Sequence, residues 1–331
     1  MNFHKAVFFL LQTLFKSKKI CYNTIMNNQR GQKNSGGFFA SLIGEQTHAK
    51  TAGLSYTVAA LAIFAVSFII GCIPIGEGEQ PQWWLYLGFL AAPTAFLIVG
   101  IWYFSYTKSS FIGFVKQQKC HPKYYLIALL LQVGLFGLSE LNVLFVEFLQ
   151  SLGYKDAGIT LPSLEGAGFI GVFITIAIIP AIMEEFVFRG VFLRETKEFS
   201  LPAQVLICGG LFALYHQNPA QTVYQFICGA AFAFVAIKSG SILPTMLSHF
   251  INNAVILTLT KLGIESFDMP MYAIILVVSG LCLVGALVYL LVFDSEKAEK
   301  KKGDYGQLFA CAGMGIFMLL LSWAATLLTG F

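Results

Sequence analysis

Long apolar runs separated by short polar segments make up most of this chain. Most of these runs come close to the roughly 20 residues that a helix needs to cross a bilayer. They lie near residues 52–74, 83–106, 124–150, 166–193, 202–216, 220–237, 242–260, 270–293 and 307–330. Three of them begin with a helix-capping side chain close to a proline, at Ser200, Asn218 and Asp268. The pattern predicts an all-α fold, a polytopic membrane helix bundle with eight to nine transmembrane helices.

The composition supports a membrane setting and excludes a soluble monomer. Hydrophobic residues make up 57% of the chain and charged residues only 11%, whereas a typical soluble domain has roughly 45–50% and 25%. The formal net charge is +4, and nearly all charged residues fall in the short segments between the runs. No basic patch stands out among them. We therefore expect the lipid bilayer as a partner, and no nucleic acid.

Lysine and arginine are concentrated in every second loop. The basic segments are residues 1–51 and the loops with Lys108, Lys116, Lys119 and Lys123, with Arg194 and Lys197, with Lys238, and with Lys297, Lys300, Lys301 and Lys302. The loops between them hold only Lys155 and Lys261. Because basic loops stay on the cytoplasmic side, the N-terminus is predicted to be cytoplasmic and, with nine spans, the C-terminus outside. We expect a multi-pass protein in the cell membrane of a prokaryote.

Residues 1–51 are predicted to form a cytoplasmic tail ahead of a membrane domain at 52–331. The apolar stretch at 6–15 has ten residues, which is too short for a crossing. Basic residues flank it, so it is a candidate helix on the inner membrane surface. A signal peptide is the competing interpretation, but three lysines follow the stretch where a small-residue cleavage site would be expected.

Ionisable side chains inside a membrane span are costly, so Glu184, Glu185 and Arg189 are candidates for function. Glu185 and Arg189 are four residues apart on one helical face, with the acid first, which is the favourable order for an ion pair. Glu184 lies about 100° away around the helix, so it does not share this partner. The alternative is that all three form a structural network at a helix end.

Pro180 lies four residues before Glu184 and has no N–H for the carbonyl of Ile176. The helix is therefore expected to bend or open there, and such a break can admit water. An ordinary kink in a membrane helix is the alternative interpretation.

Two further spans carry polar side chains that could meet Glu184. Phe212 and His216 are four residues apart in the fifth run, and His249 and Asn253 are four apart in the seventh. A rise of about 1.5 Å per residue places Glu184, His249 and Asn253 roughly 12–18 Å from the predicted cytoplasmic helix ends. The same count places His216 deeper, at roughly 22 Å. Taken singly, a histidine or asparagine in a membrane more often forms a hydrogen bond between helices than a catalytic site.

In chain order these residues form Glu-Glu-x-x-x-Arg, Phe-x-x-x-His and His-x-x-x-Asn on three separate helices. With these motifs the sequence resembles the CAAX-processing and bacteriocin-processing (CPBP, or ABI) family of intramembrane glutamic endopeptidases, which includes the Rce1-type prenyl proteases. The resemblance covers about residues 166–256, which we take as the catalytic core. It implies an enzyme of about eight helices that cleaves a peptide bond in a membrane-associated peptide or protein.

The resemblance also implies roles for the motif residues. Glu184 and His216 would hold a water molecule, which Glu184 deprotonates for attack on a peptide carbonyl. His249 and Asn253 would donate to the developing oxyanion, and the adjacent ion pair would support the helix. No cofactor is expected. The family name implies prenylated C-terminal peptides, whereas bacterial relatives are linked to bacteriocin processing and immunity, and no feature of the sequence chooses between these substrates.

Three alternatives stay open. Within the hydrolases, zinc could be held by Glu184, His216 and His249, although the chain has no His-Glu-x-x-His helix. A transporter could use Glu140 and Asn142 of the third run in a translocation path, although the chain shows no inverted repeat. A non-catalytic membrane scaffold or immunity protein would bind a partner without cutting it.

Overall fold

The computed structural model describes residues 45–76, 78–156, 158–264, 267–294 and 302–331. All regular secondary structure within these ranges is helical. The helices in chain order are α1 (His48–Gly71), α2 (Gln82–Thr107), α3 (Phe111–Lys116), α4 (Lys123–Ser151), α5 (Ala167–Glu195), α6 (Leu201–Tyr215), α7 (Thr222–Ser239), α8 (Leu243–Leu262), α9 (Met269–Phe293) and α10 (Tyr305–Thr329).

Seven helices in the described part of the chain are long and apolar enough to cross a membrane, judged by length and composition. They are α1, α2, α4, α5, α7 together with the preceding 3₁₀ turn Pro219–Gln221, α9 and α10. The all-α polytopic bundle is thus confirmed. Helix α6 has only 15 residues, and α8 has 20 but buries several polar side chains, which lower its hydropathy. The count of eight to nine spans therefore stays a prediction.

The predicted cytoplasmic tail lies mostly outside the described residues. The same holds for the candidate surface helix at 6–15 and for Lys297, Lys300 and Lys301 of the last predicted basic loop. Helix α1 begins at His48, so residues 48–51, which the apolar pattern assigns to the tail, are helical.

Two of the three predicted helix caps form side-chain hydrogen bonds. Asn218 accepts from the backbone N–H of Ala220 at 2.9 Å, and Asp268 accepts from that of Met271 at 3.1 Å. Ser200 precedes α6 in an extended conformation, but its side chain makes no capping bond. The sequence pattern thus locates all three helix starts, although one of them does not use the predicted side chain.

Glycines allow close contact between the two helices that follow α5. Gly209 of α6 faces Gly229 of α7, and a Cβ added at Gly229 would lie 3.0 Å from the Cα of Gly209. This separation is tighter than ordinary van der Waals contact, so a larger residue would push the helices apart. The close approach also leaves the backbone carbonyl of Gly229 within reach of α5.

Helix α5 is not a regular α-helix along its length. Wider π-helical segments, Phe173–Ile178 and Phe186–Phe192, flank the α-helical segment Ile179–Glu185. Pro180 lies at the start of this α-helical segment, where the sequence predicts that the helix opens. π-Helical turns often occur at functional sites, and here they bracket Glu184.

Asp294 joins the ends of three helices just beyond α9. Its carboxylate accepts hydrogen bonds from Lys123 Nζ at 3.0 Å and from Tyr124 OH at 2.9 Å. Its backbone carbonyl accepts from Lys238 Nζ at 2.5 Å. Partial burial raises the pKa of Asp294, but the hydrogen bonds from Lys123 and Tyr124 lower it by more, so the pKa lies below its usual value. Asp294 therefore connects α4 to the end of α9 through its ionised carboxylate, and α7 through its backbone carbonyl.

Candidate active site

Side chains from α5, α8 and the end of α6 converge around Glu184. Its Oε2 lies 3.9 Å from Nε2 of His216 and 3.8 Å from Nε2 of His249. The three groups come from segments separated by more than 30 residues in sequence. The fold therefore brings together one carboxylate and two imidazoles that the sequence suggested as partners.

The side chain of Glu184 is partly exposed, but one of its carboxylate oxygens is buried and has no hydrogen-bond partner in the described part of the chain. Oε2 of Glu184 is shielded from solvent and contacts no donor within hydrogen-bond distance among the described residues. Separations of 3.8 and 3.9 Å from the two imidazoles are too long for direct hydrogen bonds. A buried carboxylate oxygen costs free energy unless it is paired, so this oxygen is suited to bind a small polar group that also contacts an imidazole.

A backbone carbonyl determines which nitrogen of His216 carries a proton. Nδ1 of His216 lies 2.8 Å from the carbonyl oxygen of Phe212, and a carbonyl oxygen only accepts. Nδ1 therefore donates, and Nε2, which faces Glu184, has a free lone pair when the ring is neutral. The ring of Phe212 also contacts the imidazole edge-on at 4.7 Å between centroids. The Phe-x-x-x-His spacing therefore orients His216 through both the backbone carbonyl and the ring of Phe212.

Glu185 orients His249 in a similar way. Nδ1 of His249 lies 3.0 Å from Oε1 of Glu185, and the same oxygen accepts from Nη1 of Arg189 at 2.9 Å. The ion pair predicted from the spacing is thus present, and both of its side chains are 0% exposed. Because the paired carboxylate accepts, Nδ1 of His249 donates and Nε2 points towards Glu184.

Arg189 is held by more than its carboxylate. Its Nη2 donates to the carbonyl oxygen of Gly229 at 3.0 Å, which the close approach of α6 and α7 makes accessible. The guanidinium also lies 4.4 Å from the centre of the Phe212 ring and 5.5 Å from that of Phe232. Both rings contact His249 as well. The two aromatic rings hold the guanidinium of Arg189 in place. Because Arg189 binds Glu185, and Glu185 binds His249, they also help to hold the imidazole of His249.

Asn253 contacts the irregular part of α5. Its Nδ2 donates to the carbonyl oxygen of Ile176 at 3.0 Å, the carbonyl that Pro180 cannot satisfy in an α-helical register. Its Oδ1 accepts from the side chain of Asn252 at 3.2 Å. One N–H of the Asn253 amide is therefore used to bridge α8 to the opened turn, and the second N–H is left for another acceptor.

A buried amide network behind Asn253 was not predicted from the sequence. Oδ1 of Asn252 accepts from Nε2 of Gln132 on α4 at 3.0 Å and from the hydroxyl of Tyr224 on α7 at 2.8 Å. Gln132 interrupts an otherwise apolar run, and this is a signal that could have identified it. Tyr224 carries no such signal, because tyrosine is common in membrane helices.

The structure gives His216 and Asn142 contacts that the depth count and the transporter alternative did not predict. The depth count placed His216 deeper than Glu184, yet the two side chains lie 3.9 Å apart. Counting residues from the predicted helix ends therefore does not give the relative positions of these two side chains. Asn142 was considered for a translocation path, but its amide donates to Ala220 O at 2.7 Å and accepts from Tyr224 N at 3.0 Å. It therefore links α4 to the start of α7.

The site carries side chains of the types that bind zinc. Glu184, His216 and His249 have the donor types of a His₂Glu zinc site. Within the ranges that the structure describes, however, no group of three or more His, Cys, Asp or Glu side chains is arranged to hold a metal ion. Zinc binding by these three residues stays an alternative.

Residues 166–255 match the family model described as Type II CAAX prenyl endopeptidase Rce1-like. The matched segment begins next to the first residue of α5 and ends within α8, so it contains every motif residue described above. This match confirms, over that segment, the family predicted from the three motifs. No curated protein and no solved structure matches the chain.

Proposed function

From the match of residues 166–255 to the Rce1-like endopeptidases, we propose that this chain is an intramembrane protease. It hydrolyses a peptide bond of a membrane-associated peptide or protein with a water molecule activated by glutamate. The observation that carries the proposal is the unpaired Oε2 of Glu184, which lies 3.8–3.9 Å from Nε2 of two histidines. The fold directs Nε2 of both imidazoles towards this one carboxylate.

Glu184 is the proposed general base. A water molecule between Glu184 and His216 can donate one hydrogen to Oε2 of the carboxylate and the other to Nε2 of the neutral imidazole. Its oxygen lone pair is then free to attack the peptide carbonyl. Glu184 takes the proton as the new C–O bond forms, and it returns this proton to the leaving amine when the peptide C–N bond breaks. The base is regenerated without any other proton carrier.

His249 and Asn253 are the proposed oxyanion donors. Nδ1 of His249 already donates to Glu185, so Nε2 can donate to an oxyanion only when the ring is doubly protonated. Asn253 uses one N–H for Ile176 and can offer the other. A single donor to an oxyanion typically contributes about 2.7–4 kcal/mol to the transition state.

The test uses Glu184→Gln in purified protein reconstituted into liposomes with fluorogenic membrane-anchored peptides, both prenylated and unprenylated. Loss of the base should lower the cleavage rate by about 10²–10⁴-fold. Glu147→Gln is the matched control, because Glu147 is an exposed carboxylate on α4. If folded Glu184→Gln protein cleaves as fast as the control, the glutamate mechanism is wrong. If neither wild type nor control cleaves any peptide, a scaffold or immunity function is favoured.

Metal dependence is tested on the same preparation. Cleavage by glutamate-activated water should survive dialysis against a strong chelator, because no step uses a metal ion. Activity that is lost on dialysis and restored by zinc would instead assign Glu184, His216 and His249 as ligands.

A further inference from the structure

A cavity is lined in part by Arg189, the partner of Glu185, and includes none of the motif residues Glu184, His216, His249 and Asn253. It has a volume of about 340 Å³ and is formed by the end of α5, the short helix α3 and the turn between α7 and α8. Its lining includes three cationic side chains, Arg189, Arg194 and Lys197, and contains no aspartate or glutamate. A concave surface with this charge attracts an anion.

The positive charge of the cavity comes mainly from Arg194 and Lys197. Arg189 lines the buried end of the cavity, and its charge is neutralised by Glu185. Arg194 and Lys197 are exposed and form no ion pair within the described ranges. The carboxylate next to Arg194 in sequence, Glu195, is turned away and accepts hydrogen bonds from Tyr103 OH and His48.

The walls of the cavity are held in place by other contacts. Gln118 accepts from the backbone N–H of Ile242 at 3.0 Å, and its backbone carbonyl accepts from the hydroxyl of Ser241. Arg194 lies over the ring of Phe114 at 5.8 Å. A Cβ at Gly190 would lie 2.7 Å from that ring, so this position allows α3 to pack against α5. The cavity is therefore shaped by tertiary contacts among α3, α5 and the turn between α7 and α8.

The surroundings of the cavity indicate where the anion comes from. Helix α3 has six residues, so it cannot cross a bilayer. Its side chains Phe111, Ile112 and Val115 are 57%, 67% and 51% exposed. A short helix with exposed apolar side chains next to lysines is typical of a membrane interface. Because α3 also lines the cavity, the opening is expected at the level of the lipid headgroups.

We infer that this cavity binds the phosphate group of an anionic phospholipid headgroup. Arg194 and Lys197 contact the phosphate, and the apolar side chains of α3 lie beside the acyl chains. The volume is roughly ten times the ~30 Å³ share of one water molecule, enough for a phosphate with its glycerol. Basic pockets between membrane helices on the cytoplasmic side are known to bind such headgroups, and the basic loops predict that this face is cytoplasmic.

The experiment is a lipid titration of detergent-purified protein by native mass spectrometry. Dioleoyl phosphatidylglycerol should bind at one saturable site, and dioleoyl phosphatidylcholine should not. The double variant Arg194→Gln/Lys197→Gln should weaken phosphatidylglycerol binding by about thirtyfold. Lys116→Gln/Lys119→Gln is the matched control, since it removes the same charge from exposed positions that do not line the cavity. The charge-preserving variant Arg194→Lys/Lys197→Arg should bind within about threefold of wild type.

Each other outcome contradicts the inference. Equal weakening in the Lys116→Gln/Lys119→Gln control would show general attraction to a basic surface. Unchanged binding in Arg194→Gln/Lys197→Gln would place the lipid elsewhere. If inorganic phosphate displaces the lipid at equal concentration, the ligand is a free phosphate and not a headgroup. Peptide cleavage does not enter any of these readings, so the result is independent of the proposed protease activity.

Discussion

Changing Glu185 to Gln removes one charge from a fully buried ion pair and keeps the shape of the side chain. The carboxylate accepts from both Arg189 and His249, and the side chains of the pair are 0% exposed. Glu185→Gln leaves the guanidinium charged among Phe212 and Phe232. Removing one partner of a buried pair typically costs about 3–5 kcal/mol.

The lower end of this range is expected, because Arg189 retains other partners. Its Nη2 still donates to Gly229, and its guanidinium still lies 4.4 Å from the centre of the Phe212 ring. A cation–π contact in a desolvated site contributes about 2 kcal/mol. We therefore expect Glu185→Gln to lower the free energy of unfolding by about 3 kcal/mol.

Thermal unfolding in detergent, followed by a thiol-reactive dye, measures this loss. Cys208 and Cys228 are 0% and 3% exposed, so they react only when the bundle opens. Glu147→Gln is again the control. Adding Arg189→Met to Glu185→Gln removes the unpaired charge and should recover part of the lost stability. Unfolding of Glu185→Gln at the wild-type temperature, or a double variant less stable than Glu185→Gln, would refute the electrostatic explanation.

Two further predictions concern other parts of the molecule. Asn253→Ala should lower kcat by about 10²–10³-fold with little change in KM, because an oxyanion donor acts in the transition state. Steady-state kinetics with the liposome assay measure both constants. A change in KM alone would contradict the role of Asn253 as an oxyanion donor. Asp294→Asn should lower the melting temperature by an amount that is constant above the pKa of an unfolded aspartate, about 3.9. The pKa of Asp294 in the folded protein is lowered. The stabilisation by its carboxylate is therefore lost as the pH falls from the pKa of the unfolded aspartate through the pKa of the folded one. Melting curves from pH 3 to 7 test this, and a difference that grows at acidic pH would contradict the sign.

Local geometry explains which features of the site the sequence could predict. The pair of Glu185 and Arg189 depends only on the spacing of four residues along one helix. The opening of α5 near Pro180 follows from the missing N–H. The same applies to the caps at Asn218 and Asp268, where a short polar side chain reaches its own backbone.

Contacts between different helices could not be predicted from the spacing of residues within one helix. The bond from His249 to Glu185 depends on how α8 is rotated against α5, and sequence spacing within one helix carries no information on that rotation. The network of Gln132, Tyr224 and Asn252 depends in the same way on which helices are neighbours.

The polarity of α8 explains why this helix is not among the seven apolar candidate spans, although the sequence predicts it as a span. This helix has 20 residues, which is sufficient to cross a bilayer. Its buried side includes Ser248, His249 and Asn252, and these side chains find partners inside the protein. A mean hydropathy counts such residues as if they faced lipid. It therefore underestimates the ability of a helix to span a membrane when its polar side is covered by other helices.

The buried chain from Arg189 through Glu185 and His249 to Glu184 has a consequence for the electrical behaviour of the proposed reaction. With His249 doubly protonated, two carboxylates balance one guanidinium and one imidazolium. When Glu184 takes the proton from water, its charge is lost and an oxyanion of the same charge forms a few ångströms away, so no net charge is created in a medium where charge is costly. Little charge moves across the bilayer in this step, and the cleavage rate should therefore be insensitive to the membrane potential.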